Sequence, residues 1–180
     1  MHLVASFSRG LSLAVLAALT ACAGPMSSSG PAAIATLSPA ASGGPTGTVT
    51  FLPKGSDLLV HVKATGLPPG SMHGFHVHEN GVCTGPDFMS AGGHFNPGKQ
   101  PHGPQGGPHH AGDMPGLMAD ASGNVDASFT LAGVSLTGPD GYIGHAVILH
   151  AAADDYMTQP TGNSGGRVAC GVIAAGGSAS

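Results

Sequence analysis

Positive charge is scarce in this chain. Five Lys+Arg stand against nine Asp+Glu in 180 residues, a formal net charge of −4, and the cations form no cluster. A nucleic-acid partner needs grouped Lys and Arg to neutralise phosphates, so that class is excluded. Tryptophan is absent, and glutamate occurs once, at Glu79. There is no internal repeat and no helical period of useful length. The most apolar stretch, Leu11 to Leu19, is about half as long as the roughly 20 residues that a membrane span needs. The length suits one domain with appendages. Glycine (31) and proline (15) together make about a quarter of the chain, close to the level at which disorder competes, but 41% hydrophobic residues and low net charge favour packing. A loop-rich all-β domain satisfies both. What is abundant instead is histidine: eleven residues, more imidazole than packing requires, which points to metal.

The N-terminus reads as an export signal. A short segment with Arg9 precedes the apolar stretch, and small residues lead to Cys22. Leu19-Thr20-Ala21-Cys22 resembles a bacterial lipobox, in which the Cys becomes the first mature residue and carries lipid. The expected organisation is therefore a lipoprotein signal peptide over 1–21, a lipidated Cys22 with a small, uncharged Ser/Gly/Pro tether over 22–31, a domain over 32–175 and a flexible tail over 176–180. Loss of residues 1–21 removes Arg9 and makes the mature chain one unit more negative. With Cys22 assigned to lipid, Cys83 and Cys170 remain as an even pair in a disulfide-permitting compartment. A bridge closing their ~90-residue loop would stabilise by about 4–5 kcal/mol in the chain-entropy treatment. The alternative is two buried free thiols.

From residue 33 onward the hydrophobic period is two. Strands are expected at Ala33–Ser38, Gly47–Leu52, Asp57–Ala64, Met72–His78, Gly116–Asp120, Val125–Leu131, Ile143–His150 and Val168–Ala174, separated by Gly/Pro/Asn/Asp turns such as Ser122-Gly123-Asn124. Eight short strands suggest a barrel or sandwich. Glu79 to Pro115 and Ala151 to Arg167 lack apolar periodicity, and loops this long in a small domain tend to carry function. In Gly74-Phe75-His76-Val77-His78 the alternation sends both imidazoles to one face, about 7 Å apart along the strand, within reach of one ion. His-x-His is a weak signal by itself. Its context strengthens it: His94, His102, the pair His109-His110 and Asp113 crowd a Gly/Pro-rich loop, a nitrogen and oxygen donor set suited to zinc. The alternation also turns His150 away from the core, where it could join His76 and His78.

Gly74-Phe75-His76-Val77-His78, Gly93-His94-Phe95-Asn96-Pro97, His110-Ala111-Gly112-Asp113, His150 followed by Asp154-Asp155, and the run Gly162 to Ile173 with Arg167 and Cys170 together resemble the copper/zinc superoxide dismutases, over about Ala32 to Ala175. The resemblance implies an eight-stranded antiparallel Greek-key β-barrel, flattened like an immunoglobulin sandwich, with two long functional loops holding a metal site outside it. It implies copper at His76, His78, His94 and His150, with zinc at His94, His102, His110 and Asp113. His94 would bridge the two ions and act in catalysis with Arg167, which would dock the superoxide anion. Asp154 would link one copper-bound and one zinc-bound histidine, and Cys83–Cys170 would be the intrachain disulfide. The spacing to Asp113 favours His110 over His109 as ligand. His61, His73 and His145 are taken as surface or structural groups.

Three functions compete at this stage. One is dismutation of superoxide by an enzyme anchored in the bacterial periplasm or cell envelope through lipid on Cys22. Another is a non-enzymatic copper and zinc buffer on the same fold, which would need the ligands but neither Arg167 nor Asp154. The third, a zinc hydrolase, wants a carboxylate base beside metal-bound water, and Glu79 falls on the strand face opposite His78. A homodimer is left open, because the insert Thr84 to Gly93 alters the surface on which a dimer contact would form.

Overall fold

The computed structural model describes residues 1, 2 and 32–177; nearly all of the expected signal peptide, and the whole tether with Cys22, lie outside the described residues. Ten strands follow in chain order: β1 (Ala33–Pro39), β2 (Thr46–Lys54), β3 (Asp57–Thr65), β4 (Met72–His73), β5 (Phe75–His78), β6 (Leu117–Met118), β7 (Val125–Leu131), β8 (Ala146–His150), β9 (Arg167–Val172) and β10 (Ala174–Ala175). The helical content of the described residues is one 3-10 turn, Met89–Ala91. Every pairing is antiparallel, in the order β5-β8-β9-β1-β2-β3-β7, with β10 also on β1 and with β4 paired to β6. The jumps from β3 to β7 and from β5 to β8 are the Greek-key crossings of a curled β-barrel sandwich.

Alternation builds the core. Ala33, Ala35 and Leu37 of β1, Val49 and Phe51 of β2, and Leu58, Val60, Val62 and Ala64 of β3 point inward, while their neighbours meet solvent. The β2–β3 register closes at Lys54↔Asp57 through Gly55, whose φ of 65° is a left-handed value that favours glycine. Phe51 and Phe95 each meet Tyr142 edge-on, with ring centroids 6.1 and 6.2 Å apart.

β5 and β8 depart from this pattern, because every residue of both is buried. One face meets the core and the other lies beneath the two long loops. The barrel thus supplies a rigid floor and the loops a lid, with the histidines of the outward face between them. Four of the expected strands keep their ends or extend them by one or two residues; Gly116–Asp120 and Ile143–His150 shorten to Leu117–Met118 and Ala146–His150, and Val168–Ala174 splits at Ile173 into β9 and β10. The eighth, Met72–His78, breaks at Gly74, which leaves the sheet to donate its N–H to Ala152 of the second loop at 2.7 Å.

Candidate metal centre

His76 and His78 leave the outer face of β5, and His150 ends the neighbouring β8. His94 reaches them because its loop pairs with the free edge of β5. Val77 N–H donates to Gly112 O, Gly112 N–H to Phe95 O and Phe95 N–H to Val77 O, each at 2.8 Å. Gly112 sits so close to this edge that a β-carbon would strike Val77 O and lie 3.1 Å from Phe95 N. Glycine is what allows the loop to dock there.

Two clusters result, each with ligand atoms within 4.8 Å of one another: His76, His78, His94 and His150, and His94, His102, His110 and Asp113. His94 belongs to both. A third group, His76, His102 and Asp154, joins them. All seven residues of the first two clusters are buried. His109 is not among them; it is half-buried, with Nδ1 2.7 Å from Gly107 O.

The polar partners are ordered. Asp154 Oδ2 lies 2.6 Å from His76 Nε2 and its Oδ1 lies 2.9 Å from His102 Nε2, while Oδ1 also accepts Tyr156 N–H at 2.7 Å. Asp113 Oδ1 lies 2.9 Å from His94 Nδ1, and Oδ2 accepts the N–H groups of His110 and Gly103 at 2.9 and 3.2 Å. His78 Nδ1 faces Gly92 O at 3.0 Å and His150 Nδ1 faces Gly165 O at 3.3 Å. These contacts fix the outer ring nitrogen of several histidines and leave the inner one free to bind.

Four inner nitrogens are buried with no hydrogen-bond partner: His76 Nδ1, His94 Nε2, His102 Nδ1 and His110 Nδ1. His102 Nδ1 lies 3.0 Å from Asp113 Oδ2 but outside hydrogen-bond geometry. An unpaired buried polar atom costs about 1–3 kcal/mol, so four aimed into one region call for a bound group. The four-imidazole donor set suits copper, and three imidazoles with a carboxylate suit zinc. Electrostatics agrees with ligation. Burial pushes His76 down to about 4, His78 to about 2 and His150 to about 3, so all three are neutral near pH 7. Burial opposes ionisation of Asp113 and Asp154, yet their histidine and backbone partners hold both carboxyls below the usual range.

Arg167, at the start of β9, donates Nη1–H to Phe88 O and Nη2–H to Gly92 O, both at 2.6 Å. Cys83 and Cys170 form a disulfide, with Cα atoms 5.7 Å apart, that ties the loop bearing those carbonyls to the same strand. A cleft of about 400 Å³ opens beside the cluster, walled by His94, His110, Thr161, Lys99 and Glu79. The lone glutamate is occupied, its Oε2 accepting Gly93 N–H at 3.1 Å.

Some supports were not foreseen from sequence. The Gln159 side chain clamps the His102 main chain from the opposite loop, accepting its N–H and donating to its carbonyl, both at 2.8 Å. Tyr156 lies parallel to the His102 ring at 6.4 Å, and Tyr142 donates its hydroxyl to Ala111 O. His73 is buried, with Nδ1 2.7 Å from His150 O and Nε2 2.6 Å from Ser71 Oγ, so it is structural. His61 pairs with Asp126, and His145 packs on Phe95.

Comparison with known proteins agrees with this chemistry. Residues 45–173 match the family model described as copper/zinc superoxide dismutase (SODC). The chain is 47% identical over 122 residues to the superoxide dismutase-like protein YojM of Bacillus subtilis, covering 63% of this chain and 61% of that protein. It is 41% identical over 140 residues to the copper-zinc superoxide dismutase of Deinococcus radiodurans, covering 70% and 75% respectively. Among solved structures, the clock protein EA4 superposes with a TM-score of 0.72 at 39% identity, over 84% of this chain and 98% of that one. With more than two thirds of its length matched and a buried donor set suited to both metals, the chain belongs to the copper/zinc superoxide dismutase family.

Proposed function

We propose that this protein disproportionates superoxide into dioxygen and hydrogen peroxide in the bacterial cell envelope. The observation that carries the reading is the set of four unpaired inner imidazole nitrogens, one from the barrel strand β5 and three from the first long loop, within the two donor clusters. His76, His78, His94 and His150 would hold copper, and His94, His102, His110 and Asp113 would hold zinc, with His94 offering one ring nitrogen to each. Copper supplies a one-electron couple between Cu(II) and Cu(I), and zinc a fixed positive charge. Arg167 draws the anion to the copper side and hydrogen-bonds it there, its guanidinium held in place by two carbonyls. His94, free at Nε2 and engaged at Nδ1, is the group able to hold a proton at the Nε2 position and pass it on. Asp154 keeps His76 and His102 in one tautomer and orientation.

The name of the Bacillus relative, superoxide dismutase-like, favours a second reading, metal binding without turnover by an envelope lipoprotein on the same fold. Superoxide decay followed with copper- and zinc-loaded protein, before and after copper chelation, separates the two. Loss of decay on chelation supports the enzyme; a stoichiometrically loaded protein with no activity supports the alternative.

For localisation, the reading is a lipoprotein held by Cys22, since several acyl chains anchor firmly where one does not. Cys22→Ser should release the protein from the membrane fraction, and wild-type protein found wholly in the soluble fraction would refute the anchor.

A further inference from the structure

We infer that Met72 and Met118 form a second, separate site for a soft monovalent cation, Cu(I) or Ag(I), on the outer surface of the barrel. The inference starts from which apolar side chains the barrel leaves in water. Among the described residues from Ala32 onward, the exposed large apolar side chains are Met72, Val82, Met89, Met118, Met157 and Val172. No leucine, isoleucine or phenylalanine is among them, although nine leucines lie in these residues. Val82 and Val172 are the two aliphatics among the six, so methionine predominates at these positions. Four of these six carry a thioether, whose polarizable sulfur is a ligand for soft ions such as Cu(I).

Two of the four are placed together. In the β4–β6 pair Met72 stands directly opposite Met118, and His73 opposite Leu117. His73 and Leu117 are buried, so both methionines share the outward face, at 39% and 57% exposure. Residues directly opposite on an antiparallel pair have β-carbons about 5 Å apart, a spacing that two flexible thioethers can close around one ion. Gly116 supplies a further indication. It lies two residues before Met118, on the same face, and the Met72 methyl lies 3.4 Å from where a Gly116 β-carbon would sit. The Met72 side chain therefore crosses to β6 and lies over the bare glycine, on the face of that strand which also carries Met118. Gly116 is itself held, donating its N–H to the Tyr156 hydroxyl at 2.7 Å. The inner face of β4 connects to the histidine centre, for His73 Nδ1 contacts His150 O at 2.7 Å.

The test uses full-length protein already loaded with copper and zinc, so that the histidine donors are engaged. Ag(I), redox-inert, is titrated in while the methyl resonances of ¹³C-methyl methionine are followed. The expected result is that Met72 and Met118 shift together and saturate at one equivalent, while Met89, more exposed at 64% but without a cross-strand partner, does not. Met118→Leu conserves volume and should weaken Ag(I) binding at least tenfold, with superoxide decay unchanged. Equal shifts at Met89 would mean that exposure alone governs binding and would overturn the site. So would a Met72 response that Met118→Leu leaves intact.

Discussion

Asp154 offers the sharpest probe of whether the two metal positions act as one unit. Its side chain is 1% exposed and bonds to both sides of the centre, at 2.6 Å from His76 Nε2 and 2.9 Å from His102 Nε2. The surroundings are tight, since a β-carbon at Gly162 would overlap Asp154 Oδ1, so the carboxylate has little room to move. Asp154→Ala deletes two hydrogen bonds to a charged group, each contributing about 1.5–3 kcal/mol, and leaves two buried imidazole N–H donors unpaired. Partners of this kind typically carry 10- to 100-fold in metal affinity. Because one residue serves both clusters, zinc and copper affinities should each fall by about that factor, and together. Competition against chelators of graded strength, reading each metal separately, measures this. Asp154→Asn should recover one side only, because an amide accepts from one imidazole and presents N–H to the other. If Asp154→Ala weakens a single metal, or neither, the linking role is wrong.

Other consequences follow from the same geometry. In metal-free protein, His76, His78 and His150 ionise well below the ordinary value of 6.5, at about 4, 2 and 3, so between those values and 6.5 the unfolded chain binds more protons. Stability is therefore full above pH 6.5 and declines below it, by about 1.4 kcal/mol per pH unit for each such group, opposed by His102, whose carboxylate partners raise it. Urea midpoints at pH 7 and pH 5 should show the loss, and equal midpoints would contradict it. Arg167→Ala should lower the superoxide rate and flatten its salt dependence with copper content unchanged; identical kinetics at low ionic strength would remove the docking role. Reducing Cys83–Cys170 should lower thermal stability by a few kcal/mol at most, given the ~4–5 kcal/mol ceiling for its loop, and unchanged stability on reduction would contradict a structural role for the bond.

The strands and metal donors were legible because period and spacing are local. Val125–Leu131 appears with the expected bounds, and His76 and His78 share a face because strand alternation allows nothing else. Non-local partners were hidden. The expected strand Ile143–His150 begins at Ala146, because Ile143 and Gly144 spend their N–H groups on Leu136 O and Ile173 O. Met72–His78 breaks at Gly74 because Ala152 lies there to receive its N–H. Gln159 looks like any loop glutamine until the fold sets it against His102. Of His109 and His110, only His110 lies in a donor cluster, while His109 is half-buried with Nδ1 against Gly107 O.

The segment Thr84 to Gly93 joins the arginine proposed to dock superoxide to one of the histidines proposed to hold copper. Gly92 O lies 3.0 Å from His78 Nδ1 and also accepts Arg167 Nη2–H at 2.6 Å. One carbonyl thus orients a copper-side imidazole and the guanidinium that would meet the anion. The second arginine bond goes to Phe88 O, and Phe88 holds a left-handed φ of 55°, which costs a non-glycine residue about 1–2 kcal/mol. That cost is offset by burial, since Phe88 is 3% exposed and packs with Ala91, Ala146, Ile148 and Cys170. Cys170 is also half of the disulfide, three residues beyond Arg167. A small satellite core, anchored covalently to β9, therefore holds the carbonyl that sets both groups. Filling or emptying that core should move His78 and Arg167 together, so a substitution such as Phe88→Ala, remote from either metal, is expected to change copper affinity and superoxide docking in parallel.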